Sequence, residues 1–432
     1  MLVVGGWLLV VGGWWLVVGG WWLVVGGWLL VVGCLLNLLC PLHPPVKSVA
    51  TKSLPFMTQN DLSLGQILNN WVAGEAPNEL AWERLAAVAL ASPRQAKAFG
   101  ITPTNVEEMI AARSHLFQST YRNILLLPSF CQSRGQSEWE RAEAINPITR
   151  LSSFQSQILL SLWNLWLPLA MQLAAWRQQL GHPLIQGILG GQGTGKTTLG
   201  AVLSLILAQL GYRTFSLSLD DLYKTYAERQ SLQKQDPRLI WRGPPGTHDV
   251  ELGLQVLGQL RSPLWHNPVL VPRFDKSAWG GAGDRTEPEI VEGIDIVLFE
   301  GWFVGVQPID PATFDAPTPA PIDTDGDRAF ARDMNERLEE YLPLWERLDR
   351  LMVLYPTDYR LSLQWRRQAE EEMMATGKSG MNGAQVEDFV KYFWKSLHPE
   401  LFITPLIRDA DLVDLVIEIN CDRTIGEVYR PI

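Results

Sequence analysis

Apolar and polar positions follow two different rhythms along the chain beyond residue 57. Between residues 61 and 127 the spacing is helical, with Leu62, Leu64, Ile67 and Leu68, then Trp82, Leu85, Ala86 and Leu90, then Met109, Ile110 and Leu116. A second apolar helical stretch covers Leu151–Leu180. It is expected to break or kink at Pro168, because proline lacks the amide proton that the helix needs. Trp163 and Trp166 fall on the apolar spacing of that stretch and read as core positions rather than a ligand box. After residue 183 the texture changes to short apolar runs, predicting strands at Leu184–Leu189, Thr214–Leu219, Ile294–Phe299, Arg350–Leu354 and Leu412–Ile417. Helical patterns follow several of them, notably Thr197–Leu210 and Leu361–Met374. This alternation predicts an α/β fold, a parallel sheet covered by helices on both faces, preceded by a mostly helical region packed against it. Val304–Arg328, rich in Pro and Asp, reads as a surface loop.

The first 46 residues follow neither rhythm. They contain no Asp, Glu, Lys or Arg and repeat every seven residues as MLVVGGW, LLVVGGW, WLVVGGW, WLVVGGW and LLVVGCL. Their length satisfies a membrane span, which takes about 20 apolar residues. A Gly-Gly pair in each heptad, however, weakens a helix by roughly 1 kcal/mol per glycine relative to alanine. No basic segment precedes the repeat, and the Arg and Ser of a transit peptide are missing. The segment therefore reads as a translated tandem repeat without function, with a membrane anchor or a targeting segment as the alternatives. The organisation expected is a leader at 1–56, a helical N-terminal region at 57–182 and an α/β domain at 183–432, with Met57 as the natural start of the functional chain.

Composition narrows the partners. The 432 residues are 47% apolar, which excludes wholesale disorder. A formal net charge of −10 argues against a protein that coats nucleic acid. Cys34, Cys40, Cys131 and Cys421 show no paired spacing for zinc or for a disulfide framework, so they read as reduced thiols in a cytosol-like compartment. A cytoplasmic location follows, with membrane association only if the leader is a true anchor.

The chemistry starts at Gly190-Gly191-Gln192-Gly193-Thr194-Gly195-Lys196-Thr197, followed by Thr198. This run satisfies G-x-x-x-x-G-K-[ST], lies just after a β-type segment and opens an apolar helix, the context that a P-loop requires. Glycines let the backbone curl so that successive N–H groups point at phosphate oxygens, and the helix N-terminus adds positive potential. Lys196 can bring its ammonium to the β- and γ-phosphates of ATP, and the Thr197 hydroxyl can ligate Mg²⁺. The N-K-x-D or T-K-x-D element of a GTPase is not found.

Three further clusters point to phosphoryl transfer onto a small molecule. Ser218-Leu219-Asp220-Asp221-Leu222-Tyr223 closes the second strand, so its carboxylates emerge where open α/β sheets bind ligands. A carboxylate there can accept the proton of an attacking hydroxyl; the plainer alternative is a helix cap. Strand alternation sends neighbouring side chains to opposite sides, so one of the two acids can face the γ-phosphate. Glu300, at the end of the third predicted strand, suits Mg²⁺ or its water shell, or is an ordinary strand-end acid. Arg273, Lys276 and Arg285 gather around a glycine-rich turn in an acidic protein, which suggests an anionic acceptor, although charge runs are also solvated faces. Arg366 and Arg367 share a helix with Glu370, Glu371 and Glu372.

GGQGTGKTTL, SLDDLY, RGPPGTHD (242–249), PRFDKSAWGGAGDR (272–285), LFEGW (298–302), LQWRRQAE (363–370) and MNGAQVEDFVKYFW (381–394) occur in the order seen in D-glycerate 3-kinases of plant and cyanobacterial type. From about residue 57 to 432 the chain resembles that family, which is related to the phosphoribulokinase, uridine kinase and pantothenate kinase group. The P-loop and SLDDLY-type motifs are shared across the group, while GTHD, FDKS…GDR and W-R-x-Q-A-E are the specific elements. The resemblance implies transfer of the ATP γ-phosphoryl to the 3-hydroxyl of D-glycerate, giving 3-phosphoglycerate and ADP in the photorespiratory glycolate route, in the chloroplast stroma if the source is a plant. It further implies that Asp220 is the catalytic base, that Lys196 and Thr197 hold phosphate and Mg²⁺, and that Glu300 is the strand-end acid. Arg366 matches the lid arginine, and Asp249 an acidic acceptor-site position. Arg273, Lys276 and Arg285 are candidates for the glycerate carboxylate. Arg367 departs from the leucine expected beside Arg366, and no role is carried onto it. Two alternatives stay open: a P-loop kinase of a uridine, pantothenate or ribulose phosphate type of acceptor, and a membrane-tethered nucleotide-binding regulatory protein.

Overall fold

The computed structural model describes residues 63–127, 155–262, 267–375, 377 and 380–432, together with the backbone of five short strands near the start of the chain. The chain forms two units, Met1–Phe56 and Met57–Ile432. In the first unit the heptads form strands Leu2–Val4, Leu9–Val11, Trp14–Val18, Trp22–Val25 and Trp28–Val31. They pair antiparallel in succession from Leu9 onward, and Leu2–Val4 lies parallel to Trp14–Val18. Val and Trp favour the pleated backbone, so the described part of the repeat is extended rather than a membrane-length helix. Among the described residues, the helix long and apolar enough to cross a membrane is Gln155–Gln179, and it is largely buried inside the protein.

The second unit opens with helices α1 (Leu64–Val72), α2 (Glu79–Ala91), α3 (Pro93–Ala98) and α4 (Val106–Ile124). Ser63, Asn78 and Ser92 cap the first three, each side chain accepting a backbone N–H that the helix start leaves free. Leu62 and residues 151–154 of the predicted helices lie outside the described residues. The long helix around Pro168 is neither broken nor stopped. A π-turn at Leu162–Trp166 runs directly into α5 (Leu167–Gln179), with Pro168 in its first turn. The carbonyl four residues before Pro168, that of Asn164, accepts 2.8 Å from the Gln95 side chain instead. Widening the turn and lending it a side-chain donor accommodates the proline within a continuous helix.

The sheet contains β1 (Leu184–Gly190), β2 (Thr214–Ser218), β5 (Ile296–Gly301), β6 (Arg350–Pro356), β7 (Leu415–Ile419) and β8 (Ile425–Tyr429). The spatial order is β8-β7-β6-β1-β5-β2, parallel throughout except for β8. On one face α6 (Lys196–Gln209) and the N-terminal helices share a core in which Trp71, Phe117 and Trp163 join Leu199, Leu203 and Ile206. On the other face Leu217, Val297 and Phe299 pack with Phe303, Tyr341 and Trp345. Because the strands run parallel, their carboxyl ends meet along one edge. Glu300 sits in register between Ile188 and Ser218.

Two segments differ from their sequence-based expectation. The charged stretch after residue 268 forms an antiparallel hairpin, β3 (Val269–Asp275) and β4 (Asp284–Val291), whose second strand is exposed from Thr286 to Ile290 and so lacks an apolar rhythm to announce it. The Val304–Arg328 segment is no surface loop: Val304, Val306, Phe314 and Ile322 are buried in the second core, and α9 (Asp325–Arg337) begins inside it. Its prolines gave it the look of a loop while its apolar residues anchor it.

Trp163 ties the N-terminal helices to the α6 face. Replacing a fully buried Trp by Ala costs about 3–5 kcal/mol. Trp163→Ala is therefore expected to lower the urea midpoint of the whole unit in one transition; an unchanged midpoint would show that the helices are not integral to it.

Candidate active site

β1 ends at Gly190 and α6 begins at Lys196, so the residues between them turn the chain through the P-loop. Gly193 holds φ +78°, and a Cβ there would stand 2.5 Å from Cβ of Trp365, on α10 (Leu361–Ala375). Glycine is thus required both by backbone angle and by close approach. The Lys196 ammonium donates to the carbonyls of Gly190 (2.7 Å) and Gly191 (3.1 Å) and stands 3.8 Å from Glu300 Oε2. Burial lowers the Lys196 pKa, and the Glu300 and Asp220 carboxylates act against that shift. Thr197 is exposed on the first turn of α6, while Thr194 is buried and donates its hydroxyl to Gly191 O (2.9 Å). The motif fixes Gly190 and Gly195; Gly191 and Gln192 lie in the turn between them, and Thr198 lies in the first turn of α6.

Beyond β2 the chain does not continue as a strand. Leu219–Leu222 is a 3₁₀ turn in which the Ser218 hydroxyl accepts the N–H of Asp220 and the Asp221 carboxylate accepts the N–H of Ser218 (3.1 Å). Neighbouring side chains in such a turn project about 120° apart, and this, not strand alternation, separates the two acids. Asp220 pairs with Lys276 (2.6 Å). Burial pushes its pKa up, but the Lys276 ammonium and the nearby Tyr223 hydroxyl outweigh burial and hold it below the ordinary carboxylate value. Asp221 is held by Arg273 (2.8 Å), and burial raises its pKa.

The hairpin therefore distributes its cations one to each acid. Arg273 also spends Nε and Nη2 on Glu289 (2.9 and 2.7 Å), donates to Ser216 O and lies over the Phe215 ring. With each nitrogen engaged, it locks the Asp221 turn. Arg285 donates from Nε to Tyr223 O (2.9 Å) and from Nη2 to Asp249 Oδ2 (2.8 Å). Asp249 also caps α8 (Val250–Arg261) through Leu252 N–H (3.0 Å). Arg366 is drawn back along its own helix to the buried Glu370 and lies over the Phe389 ring, 5.3 Å from its centre. Arg367 pairs with Glu387 on the protein surface.

The sequence reading gave no role to Tyr223, Lys224, Arg229, Arg242 or His248. Lys224 donates to the carbonyl of His248 (2.7 Å), while Arg229 and Arg242 grip the carbonyls of Gly281, Ala282 and Gly283 at the hairpin turn. Tyr223, Arg242 and His248 lie inside the motifs that carry the family resemblance, and that membership was the available signal. Cys421 is free and exposed; Cys34, Cys40 and Cys131 lie outside the described residues.

No family model matches the chain. It is 32% identical to the chloroplastic D-glycerate 3-kinase of Arabidopsis thaliana over 254 residues, 56% of this chain and 53% of that protein. It is also 32% identical to the uncharacterized kinase mug58 of Schizosaccharomyces pombe over 223 residues, 49% of this chain and 79% of that one. The solved D-glycerate 3-kinase of Cryptococcus neoformans matches with a TM-score of 0.51 at 28% identity, over 60% of this chain and 95% of that structure. The chain belongs to the P-loop kinase family of mug58 and of the probable ATP-dependent kinase TDA10 of Saccharomyces cerevisiae, to which it is 30% identical over 81% of that protein.

As a P-loop kinase the chain is a phosphotransferase, and an ATP-dependent relative supports its use of ATP. The chain spans about half the length of the chloroplastic relative. Among the described residues of the kinase no cluster of three or more His, Cys, Asp or Glu could hold a metal alone. An exposed Thr197 hydroxyl and the half-buried Glu300 are instead the sparse oxygen donors that suit Mg²⁺, which keeps its waters and shares phosphate oxygens.

Proposed function

We propose that the chain transfers the γ-phosphoryl group of ATP to the 3-hydroxyl of D-glycerate, giving 3-phosphoglycerate and ADP. What carries the reading is the pairing of Asp220 with Lys276 beside the P-loop lysine, with Arg285 of the same hairpin paired to Asp249 at the start of α8. In this reading the Asp220 carboxylate accepts the proton as the hydroxyl oxygen bonds to the γ-phosphorus and the bond to ADP breaks. Lys196 leaves its loop carbonyls for the β- and γ-phosphates, and Arg366 leaves Glu370 to cover the transferring group. Thr197 and Glu300 would hold Mg²⁺, which would supply neutralisation of phosphate charge. Arg285 and Lys276 take the glycerate carboxylate, and Asp249 is the acceptor for the 2-hydroxyl. The names of the relatives support the acceptor, and the cationic hairpin supports an anionic one.

The test is acceptor-dependent ADP release with D-glycerate, uridine, pantothenate and ribulose phosphate, for wild type and Arg285→Ala. D-glycerate is expected to be turned over best, and the variant to raise KM for glycerate far more than KM for ATP, as loss of a buried charge partner costs about 2–5 kcal/mol. Preference for another acceptor would defeat the reading, and equal effects on both substrates would give Arg285 to ATP or to the fold.

A second expectation concerns pH. Lys276 opposes the burial that raises the Asp220 pKa, so Lys276→Met is expected to move the acid limb of kcat to higher pH, because the base must be deprotonated. An unmoved limb would mean that Asp220 does not set it.

A further inference from the structure

His248 is fully buried behind the site, and its ring contacts bear on where its proton sits. The Tyr341 hydroxyl accepts the backbone N–H of Gly246 (2.9 Å) and lies 2.8 Å from His248 Nδ1. Giving its own proton to Nδ1 uses both the donor and an acceptor position of the phenol. In that arrangement the ring proton sits on Nε2, an atom that is buried and has no hydrogen-bond partner. Burial lowers the His248 pKa to about 3, so the ring stays neutral. Its face stacks on Tyr223, with ring centres 4.4 Å apart and planes 22° from parallel. Tyr223 follows Asp220 in the same 3₁₀ turn, its N–H donating to the Asp220 carbonyl (3.5 Å), and the Asp220 charge acts on both the phenol and the imidazole. The other charges facing these groups are Lys224 and Arg229 toward His248, and Lys276, Lys196 and Asp221 toward Asp220.

We propose that His248, held as its Nε2–H tautomer by Tyr341, is a positioning residue whose stacked ring fixes Tyr223 and with it the 3₁₀ turn that carries Asp220. A buried N–H without an acceptor costs free energy comparable to a lost hydrogen bond. Such a donor persists in a packed aromatic cluster when the arrangement of its neighbours is what the site requires. The inference rests on the reading of Asp220 as the base.

The test has a spectroscopic and a kinetic arm. Nitrogen NMR of the enzyme with its six histidines isotopically labelled, assigned by comparison with His248→Gln, is expected to show His248 neutral and protonated at Nε2 from about pH 5 to 8. His248→Phe keeps the stacking ring and loses both nitrogens. It is expected to lower kcat by roughly 10- to 100-fold while KM for ATP stays within about twofold. Tyr341→Phe, which keeps the ring and removes the proton that fixes the tautomer, is expected to lower kcat in the same direction and serves if His248→Phe does not fold. An Nδ1–H tautomer, an unchanged kcat in both variants, or kcat and KM for ATP worsening together would overturn the inference. Wild-type turnover of another acceptor in place of glycerate defeats the proposed function alone; the variant-to-wild-type ratio measured on that acceptor then decides the inference.

Discussion

The ion pair between Asp220 and Lys276 is the contact around which the site is organised. A carboxylate half-buried at the end of a parallel sheet carries a desolvation cost that raises its pKa, and a cation at 2.6 Å reverses the shift. That cation comes from a hairpin outside the main sheet, so the seating of the β3–β4 unit favours the ionised acid. The same hairpin supplies Arg273 to Asp221 and Arg285 to Asp249. Its seating is in turn held by Arg229 and Arg242 on the turn carbonyls. One small antiparallel element thus tunes three carboxylates of the acceptor side.

The nucleotide side is governed by a different constraint, close backbone approach. Gly193 lies against Trp365 on α10, so the P-loop and the helix carrying Arg366 are in direct contact. Lys196 rests on loop carbonyls and Arg366 on Glu370, each cation occupied by a protein acceptor. Under the proposed function, phosphate oxygens replace those acceptors, and the charge-assisted bonds are exchanged rather than created.

Much of this was legible in the sequence because it depends on local pattern. The P-loop needs glycines and a lysine at fixed spacing, and the buried strands β1 and β6 are continuous apolar runs, so both announce themselves. The N-terminal helices show their spacing for the same reason. What escaped depends on tertiary context. β4 is exposed along most of its length and carries no alternation. Arg273 and Lys276 lie three residues apart in similar surroundings, and only the fold sends one to Asp221 and the other to Asp220. The separation of those two acids comes from a 3₁₀ turn that the apolar run into Leu219 disguised as strand. His248 is invisible to periodicity, since its environment is assembled from Tyr223, Phe303 and Tyr341, which are remote from one another in the chain.

The claim on which the account turns is that Asp220, and not its neighbour, accepts the proton. Steady-state kinetics of Asp220→Asn and Asp221→Asn, with a parallel ATP-analogue titration and melting temperatures, test it most directly. The account predicts that Asp220→Asn lowers kcat by about 10²–10⁴-fold with little change in nucleotide affinity, while Asp221→Asn, which loosens the Arg273-locked turn, chiefly affects stability or KM. A larger kcat loss in Asp221→Asn at a normal melting temperature would contradict it.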